Sequence, residues 1–213
     1  MAFTPFNPEE TVLVHRQNLP HWRQGGCTYF VTSRLADSVP KELADAWRLG
    51  RDAWLHAHGI PDTSALHSLP HEAQKEYQRE FTAKFHDLLD AGHRACVLAY
   101  PDCAKILVAK LLDGNGTDYH LDAWCIMPNH FHALVEPTGA KTLGEIVKKW
   151  KGGSAFLINQ LLGRSGSIWQ AEPYDHIVRS GAQLEHFRSY IAKNPTKANL
   201  LSGFVMGMGS KRR

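Results

Sequence analysis

The sequence predicts an antiparallel α+β sandwich, a central sheet carrying helices on its faces. Three observations support this. Strand-like and helical stretches interleave irregularly along the chain. Two adjacent strand-like segments are joined by a tight Pro128-Asn129 turn, which favours an antiparallel sheet over a parallel doubly wound one. With 213 residues, 43% of them hydrophobic, the chain is long enough for one domain with a substantial core, with room for an insertion.

The elements follow in order. Thr28-Tyr-Phe-Val-Thr-Ser-Arg34 has the β-branched and aromatic content of a strand. From about Lys41 to Gly92 the pattern is helical, broken at Gly59-Ile-Pro61 and Pro70, with Tyr77, Phe81, Phe85, Leu88 and Leu89 at helical intervals. Pro101 opens a helix with Ile106, Leu107 and Leu111 as its apolar stripe, stopped by Asp113-Gly-Asn-Gly116. Tyr119 to Met127 and His130 to Glu136 read as a hairpin closed by Pro137. A helix is expected from about Thr142 to Leu162, weak at Gly152-Gly153. One or two short strands should follow around Pro173, and a last helix should run from about Ala182 to Lys193, ending near Pro195. The domain expectation is a single domain over 1–213 with a helical insertion at about 41–92.

The net charge of +3 hides a split. Residues 1–140 carry 12 Lys and Arg against 17 Asp and Glu, whereas residues 141–213 carry 12 against 4. A C-terminal third this basic suits an anionic partner such as nucleic acid, or else forms a solvated basic face. No stretch approaches the roughly 18 apolar residues that span a bilayer, and Met1 to Glu10 lacks a signal-peptide pattern. Cys27, Cys96, Cys103 and Cys125 form no C-x-x-C pair, which fits a reducing cytoplasm.

Three groups of residues carry possible chemistry. On a strand, His130 and His132 project from one face while Phe131 points to the other, so two imidazoles can supply two ligands to a divalent metal. They can equally be a pair of surface or core histidines. Adding Cys125 would make a zinc alternative. Tyr190 and Asn194 share a helical face at i, i+4. A tyrosine oxygen can attack a phosphodiester, and an amide oxygen suits a hard ion such as Mg²⁺ or Mn²⁺. The alternative is that Tyr190 extends the apolar stripe of Leu184, Phe187 and Ile191. Finally, Lys148-Lys149-Trp150-Lys151, then Arg164, Arg179, Arg188, Lys193 and Lys197, mix charge with an aromatic ring as single-stranded nucleic-acid surfaces do. Trp150 can instead be the buried residue of an amphipathic helix.

Four motifs in order resemble the REP-associated tyrosine transposases, of the single-tyrosine branch of the HUH nucleases. They are Leu19-Pro20-His21-Trp22 leading into Thr28–Arg34; Met127-Pro-Asn-His-Phe-His132; Trp169-Gln170 with Tyr174-Asp175-His176 and Arg179; and Tyr190-Ile-Ala-Lys-Asn-Pro195 with Lys197-Ala198. The resemblance implies a ferredoxin-like sheet carrying the histidine motif. It implies metal binding by His130, His132 and Asn194, with Mg²⁺ or Mn²⁺ as cofactor, and Tyr190 as nucleophile. The implied reaction is cleavage and strand transfer of single-stranded DNA at palindromic hairpins, through a 5′-phosphotyrosine. Lys148, Lys149, Trp150, Lys151, Arg164, Trp169 and Arg179 are the expected DNA-binding residues, Trp150 and Trp169 by stacking on bases.

A domesticated hairpin-binding protein with little cleavage is the alternative. The expected partners are DNA hairpins and no membrane, in a cytoplasmic, nucleoid-associated monomer or homodimer. The charge split puts the basic side and the tyrosine on one side of the molecule, and makes the 41–92 segment a scaffold. A basic tail ending Gly207-Met-Gly-Ser-Lys-Arg-Arg213 either occludes the site or grips DNA.

Overall fold

The structure, a computed structural model, describes residues 3–16, 20–38, 40–84, 96–139 and 141–209. It divides into two compact units, one formed by residues 1–36 with 96–213 and the other by 37–95.

The larger unit is built on a five-stranded antiparallel sheet. In chain order its elements are β3 (Tyr29–Arg34), α3 (Pro101–Leu112), β4 (Tyr119–Met127), β5 (His130–Pro137), α4 (Leu143–Leu161), β6 (Tyr174–Ile177), α5 (Gly181–Lys197) and β7 (Val205–Met208). Across the sheet the order is β6-β3-β5-β4-β7. The run from β3 to β6 is a β-α-β-β-α-β unit of the ferredoxin-like kind, and β7 extends it past β4. A separate hairpin of β1 (Leu13–Arg16) and β2 (Pro20–Arg23) precedes it.

Alternation along the strands gives the sheet two apolar faces. Tyr29, Val31, Trp124, Ile126, Phe131, Ala133 and Val135 point to one face, where α3 and α4 cover them with Leu107, Leu111, Ile146, Val147, Trp150 and Ile158. Phe30, Ala123, Cys125, Met127 and Leu134 point to the other, covered by Leu184 and Ile191 of α5. A bulge between Leu121 and Ala123 sets Asp122 aside from the ladder. Arg188 of α5 reaches it, with Nε at 2.9 Å and Nη2 at 2.7 Å from Oδ2. The bulge therefore anchors the helix that bears Tyr190, and it engages one of the expected basic residues.

Several expectations shift at the element ends. α4 runs unbroken through Gly152-Gly153; a Cβ on Gly153 would lie 3.1 Å from Lys110 Cδ of α3, so the lysine side chain would have to shift by a few tenths of an ångström. α5 passes through Pro195 to Lys197 rather than stopping short of it. A proline in the last turn forfeits a single amide bond, and Ala198 and Leu200 N–H groups close the end on Asn194 and Pro195 carbonyls. Around Pro173 there is one strand, β6, plus a single bridge from Leu35 to Trp169.

β7 is a strand where the sequence pattern predicts only a tail. Gly207 faces Trp124 in register, and a Cβ there would lie 2.5 Å from Trp124 Cζ2. Gly207→Val should therefore displace the indole and cost about 1–3 kcal/mol. Thermal denaturation checks this; an unshifted midpoint would mean β7 contributes nothing to the sheet.

The smaller unit holds α1 (Lys41–Ala57), a 3₁₀ turn (Thr63–Ser68) and α2 (His71–Tyr77), which runs on into a π-helical turn over Gln78–Ala83. Leu55, Ile60 and Tyr77 form its core with Trp54, Leu69 and Phe81 around them. The Trp54 indole stacks on His58 at 3.6 Å and donates to Glu76 Oε1 at 3.0 Å. The expected helical positions Phe85, Leu88 and Leu89 lie outside the described residues.

Candidate nucleophile and metal site

β5 places His130 and His132 on the face covered by α5, both almost wholly buried. Each ring is held through Nδ1. His130 Nδ1 lies 2.7 Å from Asn129 Oδ1, an oxygen that only accepts, so the ring proton sits there and Nε2 carries a lone pair. His132 Nδ1 lies 2.8 Å from Thr32 Oγ1, on the strand position directly across the ladder. The two Nε2 atoms face each other at 3.0 Å. Two ring nitrogens that close are favourable only with a proton or a cation between them. Outer partners that orient imidazoles in this way are typical of metal-ligating histidines.

α5 begins at Ser180, whose hydroxyl accepts the Gln183 N–H, and Gln183 in turn meets His176 of β6 at 2.9 Å. Burial of His176 pushes its pKa below the ordinary imidazole value, with the nearby Arg179 cation adding to the shift. Phe187 stacks on Phe30 at 4.4 Å between centroids, and Phe30 stacks on His132 at 5.4 Å. Tyr190 meets this wall edge-on, its ring 5.1 Å from His132 and 5.7 Å from Phe30. The structure thus brings Tyr190 and the histidine pair together.

One turn on from Tyr190, Asn194 is 2% exposed, and among the described residues neither Oδ1 nor Nδ2 has a hydrogen-bond partner. A buried amide without partners costs about 1–3 kcal/mol, so its orientation calls for a ligand. Tyr190 and Asn194 line a pocket of about 390 Å³ with His186, Ser189, Lys193 and Lys197. The residue types fit a divalent cation: two imidazoles, of which His130 keeps its Nε2 lone pair, and a buried amide oxygen.

Cys125 pairs with His132 across the β4–β5 ladder, but burial pushes its thiol up to about 12 and its Sγ contacts Met127 Sδ at 3.7 Å. It is a core thiol rather than a thiolate ligand. Among the described residues no group of three or more His, Cys, Asp or Glu side chains is placed to hold a metal.

The expected DNA-binding residues are dispersed. Trp150 is fully buried, donating from Nε1 to Tyr119 Oη at 2.9 Å. Trp169 is 5% exposed, donates to Ser154 Oγ at 3.1 Å and packs edge-on against Phe131. Both are core residues, and the expectation that they stack on bases is corrected: neither offers a ring face to a base. Lys149 pairs with Asp113 at 3.3 Å, and half-buried Lys151 donates to the carbonyls of Gln170 and Ala171 at 2.7 and 2.8 Å. Lys148 and Arg164 are exposed, and Arg179 lies over the rings of Trp22 and Phe6 at 5.4 and 5.8 Å. The expected coincidence of the basic run with the tyrosine is also corrected. The lysines of α4 belong to one face of the sheet and Tyr190 to the opposite one.

The sequence motifs contain Thr32 and Asn129 but assign neither a role at the site. Asn129 precedes His130 directly, but only strand register shows that Thr32 faces His132. The four-member network of His21, Arg23, Glu172 and Asp175 was likewise not foreseen as a unit. His21 touches Asp175 at 2.6 Å and Glu172 at 2.9 Å, and Arg23 holds both oxygens of Asp175 at 2.7 and 2.8 Å.

The antiparallel α+β sheet thus sets a helix-borne phenol against two buried imidazoles. Residues 104–194 match the family model described as "Transposase IS200 like", a segment that takes in His130, His132, Tyr190 and Asn194. The resemblance drawn from the four motifs is thereby borne out, and the match supports a transposase-type function on DNA. Among solved structures, the chain is similar to one described as "Structure of the REP associates tyrosine transposase bound to a REP hairpin", at 16% identity and a TM-score of 0.46. That similarity covers 85% of this chain and 74% of the other. No curated protein matches the chain. No helix among the described residues is long and apolar enough to cross a membrane.

Proposed function

We propose that the protein cleaves and rejoins single-stranded DNA at hairpin-bearing sequences, with Tyr190 as nucleophile and Mg²⁺ or Mn²⁺ held by His130, His132 and Asn194. The observation that carries this reading is the convergence of the two Nε2 atoms at 3.0 Å on the face of α5 that buries an amide without partners. The ordered motifs and the family match support the substrate class.

When bound, the cation supplies Lewis-acid polarisation of the scissile phosphate. The chain does the rest. Asn129 and Thr32 fix the imidazole orientations, so no ring reorganises during the reaction. Phe30 packs edge-on against the Tyr190 ring and orients it. Tyr190 Oη attacks phosphorus and gives up its proton, while the bond from phosphorus to O3′ breaks and O3′ takes up a proton. The products are a 5′-phosphotyrosine and a free 3′-OH. One ester replaces another, so a 3′-OH from a second strand can reverse the step without external energy. Lys193 and Lys197, lining the pocket beside Tyr190, supply positive charge for the backbone.

The test is incubation with a labelled hairpin oligonucleotide and Mg²⁺ or Mn²⁺, followed by denaturing electrophoresis. A covalent adduct that maps to Tyr190 is expected. Tight binding with no adduct would leave a hairpin-binding protein instead. His132→Ala should lower adduct formation by more than about 100-fold, since even removing an outer partner of a metal-bound histidine costs about 10–100-fold. Its hairpin affinity, which rests on phosphate contacts, should hold. Adduct formation at the wild-type rate in this variant, or in excess chelator, would remove the metal from the reading.

A further inference from the structure

We propose that Arg34 is a catalytic residue, its guanidinium holding a non-bridging oxygen of the scissile phosphate while Tyr190 attacks; this rests on the DNA-cleavage reading above.

Strand geometry puts it at the site. Val31 of β3 and Leu35 just beyond it point into the core under α3 and α4, so Phe30, Thr32 and Arg34 take the opposite face. There Arg34 stands directly across the ladder from His130, as Thr32 does from His132. Opposed side chains start about 5 Å apart, and diagonal ones are within reach of a long side chain, so Arg34 neighbours both imidazoles. Its backbone is pinned on either side. The Arg34 carbonyl accepts the Gln170 N–H at 2.9 Å, and the Leu35 N–H donates to the Asn129 carbonyl at 2.8 Å. Asn129 also orients His130, so the arginine and the imidazole are set against one turn.

Charge singles the residue out. Among the described residues, Arg34 is the one Lys or Arg within the five strands of the sheet. It is half-buried, and the phenol of Tyr174, paired with Thr32 from β6, registers its field. Burial raises the Tyr174 pKa, Asp175 adds to the rise, and the Arg34 cation opposes both. Lys193 and Lys197 bring positive charge to the site from α5, and Arg34 brings it from the floor of the sheet.

The chemistry asks for a group of this kind. As Tyr190 Oη adds to phosphorus and O3′ departs, negative charge gathers on the non-bridging oxygens, and a donor fixed in advance stabilises it most. One of those oxygens is left to the cation proposed at the histidines. A guanidinium stays charged at any working pH and offers a planar fork of N–H groups that fits a phosphate oxygen edge.

The test compares adduct formation on a labelled hairpin with Mg²⁺ by wild type, Arg34→Ala and Arg34→Gln. Hairpin affinity, by fluorescence anisotropy, and the thermal midpoint are read on the same preparations. Both variants should lose about 100-fold in rate, the loss that follows removal of one transition-state donor, with affinity and midpoint unchanged. Added guanidinium ion should recover about tenfold of that loss in Arg34→Ala and leave Tyr190→Phe inactive. Either variant at the wild-type rate overturns the assignment. So does a loss in both that guanidinium leaves unrelieved, because a head group alone does not replace a structural arginine. Arg34→Gln keeps much of the stem, and its rate decides the matter if Arg34→Ala does not fold. Wild-type protein that forms no adduct sinks the cleavage reading and this role with it. An adduct formed equally by all three proteins sinks the role of Arg34 alone.

Discussion

Tyr190→Phe is expected to abolish the covalent protein–DNA adduct, lowering its rate of formation by on the order of 10³-fold or more, while leaving fold and hairpin affinity in place. The substitution keeps the ring that meets Phe30 at 5.7 Å and His132 at 5.1 Å, and removes only the oxygen proposed to attack phosphorus. A purely structural tyrosine would show the opposite pattern, with a lowered melting point and no selective loss of chemistry. Both are read on one protein preparation, by denaturing electrophoresis with labelled hairpin and by calorimetry. An adduct at the wild-type rate would transfer the nucleophile to another residue.

The second large effect concerns stability. Trp150→Ala should cost about 3–5 kcal/mol, as removal of a buried tryptophan does. The indole fills the space between α4 and the sheet, edge-on to Tyr119 and Phe131, and its Nε1 serves Tyr119 Oη. At about 2–4 °C per kcal/mol for a chain of this size, the melting point should fall by roughly 10 °C. Urea or thermal denaturation measures it. Had Trp150 stacked on DNA, the variant would keep its stability and lose affinity instead, so an unshifted midpoint with weakened binding would reinstate that role.

The contrast between these two residues shows how much was legible. Both are aromatic residues beside lysines on helices, and sequence periodicity treats them alike. Tyr190 could be singled out by the motif around it, whereas nothing in Lys148–Lys151 tells a stacking ring from a core ring. The β4–β5 hairpin was readable because its turn is two residues long and its contacts are local. β7 was not: Val205-Met-Gly-Met has little β-branched content, and its glycine makes sense only once Trp124 lies against it. The charge split misled for a related reason. A sum along the chain does not record which face of a sheet each helix covers, and α4 and α5 cover opposite ones. Asn194 gained its significance only from burial, since spacing put it on the face of Tyr190 but could not show an amide without partners.

The hairpin of β4 and β5 carries a consequence for the order of biosynthesis. Both histidines lie on an element whose strands are neighbours in sequence, and such local pairings form early and fast. Tyr190 comes from a helix translated well afterwards, docked through Asp122 of the same hairpin. A nascent chain emerging from the ribosome would hold the proposed cation ligands of β5 before it held the proposed nucleophile. Cleavage competence would then arrive as a single late event, when α5 closes over a face already folded. Under the proposed function, the protein would pass through synthesis unarmed.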